Sequence, residues 1–330
     1  MRRLLVVVAI VAVLGAAAAS AGMAWLRSAY TAPGPLTAPA TVIVPKGAHL
    51  SEIAELAFQG GAVDSPWLLI AEATLAGNRG LKAGEFAFPA HASIATILDM
   101  MHRGQVVEHR LTIAEGLTVR QILTLVNRAD ALRGGLLSTP AEGTLLPQTY
   151  FYVYDDPRDA VVGRMESAMS QALDTLWAAR APDLPFADKQ QALILASIVE
   201  RETSLPAERA HIAAVYENRL RAHMKLESDP TVIYAASNGE GVLDHPITRA
   251  ELALASPYNT YQSDGLPPGP ICNPGRASIE AALHPTSSDD LYFVADGSGG
   301  HAFAKTLAQH NKNVERWRLL EKNHGTGKGG

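Results

Sequence analysis

Cysteine is almost missing from this chain. Its 330 residues include one, Cys272, so no internal disulfide can form, and no Cys/His cluster has the spacing of a zinc site. Cys272 lies in Pro270-Ile271-Cys272-Asn273-Pro274, a proline-rich loop with no obvious base beside it, which argues against a nucleophilic thiol. There is no His-Glu-x-x-His run and His301 has no partner at ligand spacing, so neither a metal nor another cofactor is expected. Gly297-Ser298-Gly299 is no nucleophile elbow, because a strand rather than a helix is expected after it. A basic excess is also absent. The 28 Lys and Arg against 33 Asp and Glu leave a formal net charge of −5, so no nucleic-acid partner is expected. Charged residues are only 18% and hydrophobic ones 47%, the balance of a core-forming chain rather than a disordered one. The length suffices for a short segment plus two domains.

What is present begins with a long apolar run. Met1-Arg2-Arg3 precedes 23 uncharged residues, Leu4 to Leu26, closed by Arg27. About 20 residues span a bilayer as a helix, and the leading arginines favour a cytoplasmic N-terminus. A cleaved signal peptide is the rival, with Ala19-Ser20-Ala21 as a plausible cleavage site. The continuation of the run through Met23, Trp25 and Leu26 favours an anchor; in both cases the rest of the chain is exported. Residues 31–40 form a proline-rich linker.

Next comes a strand, a glycine turn and a helix, Ile43-Val44-Pro45-Lys46-Gly47 leading to Leu50, Ile53, Ala54 and Ala57 on one helix face. The pattern recurs with Gly116, Ile122 and Leu125 in the places of Gly47, Ile53 and Leu56. Val44-x-x-Gly47-x-x-Leu50-x-x-Ile53-Ala54 resembles the opening of a LysM module, which binds N-acetylglucosamine-containing glycans. A packing domain without a ligand fits the same spacing.

Gln190 to Thr203 reads as a helix apolar almost all round that ends in two carboxylates. Glu202 shares the stripe of Leu195, Ile198 and Val199, whereas Glu200 shares the smaller, more polar stripe of Leu193, Ala196 and Ser197. The drier position belongs to Glu202, which is therefore expected to carry the raised pKa of a general acid. The alternative is a helix-end glutamate paired with Arg201 or Arg209. A second helix is expected from Ala207 to Met224, burying Ile212, Val215, Tyr216, Arg219 and Leu220. Asp229-Pro230 reads as a helix start, with Asp229 as N-cap. Tyr258 to Pro274 is a run of polar and aromatic turns suited to shaping a groove. Leu291 to Ala295 and His301 to Phe303 are expected to form a hairpin, and Asn311 to Leu320 a last helix.

Several of these segments together resemble the YceG-like family. They are Ala196 to Thr203, Asn218-Arg219-Leu220, Ser228 to Tyr234, Tyr258-Asn259-Thr260-Tyr261, Gly265 to Pro270, His284-Pro285 and Leu291 to Asp296. The resemblance implies a single-pass inner-membrane protein with its catalytic part outside the cytoplasm, periplasmic in a Gram-negative cell. It implies endolytic cleavage of nascent peptidoglycan glycan strands, near the synthases (penicillin-binding proteins), to give 1,6-anhydro ends. It assigns the catalytic role to Glu202, whose Glu202-Thr203 matches the Glu-Ser of other lytic transglycosylases. Where the family usually has an acidic residue, this chain has Gln148. Gln148, Tyr234, Asn259, Tyr261, Asp229 and Glu200 are the candidates to line the groove. Asp229 also fits a plain N-cap, Tyr234 a core position and Glu200 a structural arginine partner.

The expected fold is α+β: a cytoplasmic stub and transmembrane anchor (1–30), a linker (31–40), a LysM-like α+β subdomain (41–105), a mixed α/β catalytic domain around the buried helix (106–322) and a disordered tail (323–330). Two other functions fit the residues. A muramidase-type hydrolase would need a second carboxylate, Glu142 or Asp229, and a non-catalytic glycan-binding scaffold would not need Glu202.

Overall fold

The computed structural model describes residues 2–75, 77 and 80–325. The architecture is mixed α+β, with twelve helices and six short strands among the described residues. Helix α1 (Arg2–Thr31) buries none of its residues and is the one described helix long and apolar enough to cross a membrane.

The chain divides into two compact units: 1–109 with 151–156, and 110–150 with 157–330. The boundary thus lies a few residues after the expected 105, and a later segment, 151–156, returns to the first unit. Contiguous periodicity cannot reveal such a return.

In the first unit, β1 (Ala40–Val44) pairs antiparallel with β2 (Gly84–Phe88), with Val42 opposite Phe86. Their alternation buries Val42, Val44, Phe86 and Phe88 on one face, as a period of two requires. Helices α2 (Leu50–Gln59), α3 (Pro66–Leu75) and α4 (Ile94–Arg103) close the core with Ile53, Leu69, Ile97 and Met101. The turn into α2 uses Gly47 at φ +83°, a conformation open to glycine at no steric cost.

The second unit is built around a helix buried along most of its length. Strands β3 (Glu108–Thr112) and β4 (Thr149–Val153) pair, with the division between the units falling within each strand, and α5 (Val119–Arg128) starts with a capping box between Thr118 and Gln121. Helix α6 (Arg158–Ala178) packs Met169, Leu173 and Leu176 against α7 (Lys189–Glu202). Asp188 caps α7 by accepting from the Gln191 N–H at 2.9 Å, and every residue from Ala192 to Val199 is buried. Helices α8 (Arg209–Arg221) and α11 (Arg276–Leu283) cover its other sides with Ile212, Ala213, Ile279 and Leu283. Helices α9 (Asp229–Ala236) and α10 (Arg249–Leu252), a hairpin of β5 (Tyr292–Ala295) and β6 (His301–Ala304), and α12 complete the unit. Helix α12 (Leu307–Gly325) starts before the expected Asn311, because Thr306 accepts from the Gln309 N–H. It also takes in the start of the expected tail; the rest, 326–330, lies outside the described residues.

Candidate active site

Glu202 is the last residue of α7. The next residue, Thr203, turns to extended backbone at φ −139°, which leaves the Glu202 side chain at the mouth of a cavity of about 370 Å³. Around it stand Tyr216 from α8, Asp229 from α9, Tyr261, Phe293 from β5 and His301 from β6.

Two hydroxyls converge on one carboxylate oxygen. Tyr216 donates its O–H to Glu202 Oε1, and Ser228 Oγ donates to the same atom at 3.1 Å. Ser228 is fully buried and held by a hydroxyl network. Its N–H donates to Thr260 Oγ1 at 3.0 Å, the Thr231 and Thr260 hydroxyls are 2.8 Å apart, and Thr231 Oγ1 donates to the Ser228 carbonyl at 2.6 Å. The start of α9 and the 256–263 loop are thereby locked together beneath the carboxylate. Both hydroxyls act on Oε1, and Oε2 has no hydrogen bond among the described residues.

Burial raises the Glu202 pKa, and the neighbouring charge of Asp229 adds to the rise. The Tyr216 and Ser228 hydrogen bonds and the proximity of His301 oppose it, because they favour the carboxylate. The group is half-buried, desolvated yet reachable from the cavity. His301 is aimed by Glu208: its Nδ1 lies 2.7 Å from Glu208 Oε2, and its N–H donates to Oε1 at 2.9 Å. With Nδ1 engaged, Nε2 is the ring nitrogen left for the cavity. Asp229 Oδ1 accepts from the Tyr261 hydroxyl at 2.7 Å, and burial and this contact push the Tyr261 pKa up.

The arginine pairing considered for Glu202 does not occur. Arg201 donates to the Gly116 and Gly241 carbonyls, and Arg209 lies 3.6 Å from Glu200. Glu200, a candidate groove residue, turns instead into the protein, 6% exposed at its side chain. It accepts from the Gly275 N–H at 2.8 Å, at the start of α11, where the helix dipole favours a carboxylate. A Cβ on Gly275 would lie 1.9 Å from Glu115 Oε1, so a larger residue there requires the Glu115 side chain to move.

Of the other candidates, Tyr261 and Asp229 stand with Glu202. Asp229 is not the N-cap; Ser228 is, and Asp229 occupies the first helical position with its carboxylate free for Tyr261. Asn259 is fully buried, and its amide is spent on the end of α10 and the loop that follows it. It donates to the carbonyls of Glu251, Leu252 and Leu254 and accepts from the Tyr261 N–H, so it shapes the groove wall without facing it. Gln148 is exposed at the entry to β4, and its carbonyl accepts from Ile113; it is not among the residues around Glu202. Tyr234 lines a different cavity of about 530 Å³ with Glu142 and Arg120. There Glu142 is raised to about 7, chiefly by burial, while Val119, Gly143, Tyr234 and Asn273 hydrogen bonds counteract it.

Tyr216, Ser228 and His301 were not among the candidates. Tyr216 had a readable signal: a hydroxyl on an apolar helix face needs a buried partner. Ser228 and His301 had none, because their roles arise from segments remote from α7 in the chain.

Residues 42–316 match the model of the YceG-like family. The endolytic murein transglycosylase of Bacillus subtilis (strain 168) is 30% identical over 306 residues, covering 83% of each chain. That of Streptococcus pneumoniae serotype 2 is 29% identical over 323 residues, covering 83% of this chain and 57% of its own longer one. The crystal structure of a yceG-like protein from Listeria monocytogenes superposes with a TM-score of 0.51 at 29% identity, over 82% of this chain and 97% of that one.

Proposed function

This chain belongs to the YceG-like family, and from that membership and the groove around Glu202 we infer that it is an endolytic murein transglycosylase. The observation that carries the reading is a desolvated carboxyl at the end of a buried helix that lines the cavity, with one oxygen held by two hydroxyls and no hydrogen bond on the other.

The reaction needs one proton to move in and one to move out. Glu202, protonated on Oε2, donates to the oxygen bridging N-acetylmuramic acid and N-acetylglucosamine. The muramyl C1–O bond breaks, and the glucosamine leaves with a new hydroxyl. The developing positive charge at C1 faces the Glu202 carboxylate, which Tyr216 and Ser228 stabilise. The carboxylate then takes the proton of the muramyl C6 hydroxyl as its oxygen bonds to C1, giving a 1,6-anhydro end. A group that serves as acid and then base works best with a pKa near the ambient pH, and burial moves Glu202 in that direction. His301, held by Glu208, supports the charged half of the cycle. Tyr261 and Phe293 offer flat apolar faces to the sugar rings.

Helix α1 anchors the protein in the inner membrane with the remainder outside the cytoplasm, near the peptidoglycan synthases whose product it cuts. The strand–turn–helix of β1 and α2 supports a LysM-like glycan-binding role for the first unit. Asp229, in the same groove as Glu202, is the observation that favours a second reading, attack by water as in a muramidase.

Digestion of purified peptidoglycan by wild type and Glu202→Gln, with mass spectrometry of the new muramyl ends, tests the assignment. Ends lighter by one water, made by wild type and lost in the variant, are expected. Hydrated ends would establish hydrolysis, and cleavage retained by the variant would remove Glu202 from the mechanism.

A further inference from the structure

We propose that the groove continues past Glu202 into a second cavity, walled by Trp317 and the Gly297–Gly300 turn, which binds the sugar units on the far side of the bond being broken. The proposal rests on the reading of Glu202 as the glycan-cleaving group and adds the surface that holds the second half of the strand. Cutting inside a strand requires purchase on both sides of the scissile bond.

The second cavity, about 310 Å³, is lined by Thr203, Ser204, Gly297, Gly299 and Trp317. It shares Glu202, Ala295 and His301 with the first cavity, so the carboxyl stands at the junction of the two. Helix α12 ties them into one path. His310 and Val314 line the first cavity and Trp317 the second. These positions are i, i+4 and i+7 of one helix face, and they span roughly 10 Å at ~1.5 Å per residue. The cavities therefore follow one another along a single stripe of α12.

The second cavity has the chemistry of a sugar site. A half-buried indole gives a flat surface for the C–H face of a pyranose, and the exposed Ser204 hydroxyl beside it supplies a polar partner. The turn favours glycine at its first and third positions. Gly297 has φ +88°, and a Cβ there would lie 2.8 Å from Leu320 Cδ1. A Cβ on Gly300 would lie 2.6 Å from Glu208 Oε1. Asp296 Oδ1 accepts from the Ser298 N–H at 2.7 Å, and Glu208 holds His301 at the turn's end. The three glycines keep this wall low, and Ser298 turns its hydroxyl to Asp296, which leaves room for a ligand.

The test uses the full chain in detergent and peptide-free glycan strands. Trp317→Ala is expected to raise KM by about tenfold, the size of one lost aromatic platform, and to move cuts from the strand interior toward its ends. Trp317→Phe should restore most of the wild-type product lengths. In parallel, Glu202→Gln protein with 15N-labelled indoles is titrated with the same strands. The Trp317 indole signal, assigned by its loss in the Trp317→Ala double variant, should shift. Unchanged product lengths in Trp317→Ala overturn the subsite, whether the rate holds or falls uniformly, and so does a static Trp317 signal. Absence of any cleavage by wild type would count against the catalytic reading instead, and the indole titration would still decide the subsite.

Discussion

Two carboxyls in the second unit look alike by local chemistry and are held by different partners. Glu202 and Glu142 are both desolvated, both have raised pKa values, and each receives a tyrosine hydrogen bond, from Tyr216 and Tyr234 respectively. Glu142 is wired in as a clasp. Its Oε1 accepts from the Val119 N–H at the start of α5 and from Asn273 Nδ2, each at 2.9 Å, which ties α5 to the loop before α11. Glu202 Oε1 accepts from two hydroxyls, and the residue lines a groove together with Asp229, Tyr261 and His301. A raised pKa therefore identifies a buried carboxyl and does not by itself identify a catalytic one.

The sharpest way to break this contrast is to neutralise each carboxyl in turn. Glu202→Gln should lower glycan cleavage by at least about a hundredfold with thermal stability kept, as expected for loss of a general acid; equal losses in Glu142→Gln would erase the distinction. Tyr216→Phe comes next, with a loss of about tenfold, the worth of one buried hydrogen bond to a charged group. That bond favours the Glu202 carboxylate, so its removal should move the alkaline limb of the pH–rate profile upward. Asp229→Asn should move the same limb downward, since the Asp229 charge raises the Glu202 pKa, with a change of roughly threefold at neutral pH. If Asp229 also activates water, this variant should raise the share of anhydro ends.

The smallest effect on rate is expected from Glu142→Gln, under about threefold, because the amide oxygen can still accept from Val119 and Asn273. Its signature is in stability. The folded state holds the Glu142 proton up to about pH 7, whereas an unfolded glutamate releases it near 4.5. The folded form binds more protons in that window, so wild-type stability falls as pH rises through it. Thermal melts from pH 4.5 to 7 should show a shallower fall for Glu142→Gln.

Much of the site's skeleton is legible in the sequence. The position of Glu202 on a dry helix stripe, the helix starting at Asp229-Pro230 and the closing hairpin all follow from short-range patterns. Loop side chains are not legible in the same way. Asn259 sits among turn residues like a ligand contact, yet its amide turns inward to satisfy three backbone carbonyls. Glu200 and Glu202 lie two residues apart on one helix, and only the packing of α11 shows that Glu200 meets the Gly275 N–H.

By itself the sequence determined the apolar leading helix, the buried α7 that ends in two carboxylates, and the family whose ordered motifs run across the chain. These are local matters of periodicity, capping and composition, which act within a few turns of backbone. Tertiary structure alone decided which carboxyl faces a groove, which oxygen stays free, and that Tyr216, Ser228 and His301 converge on it. Desolvation and hydrogen bonding depend on what other segments bring within a few ångströms, and no spacing along the chain encodes that approach.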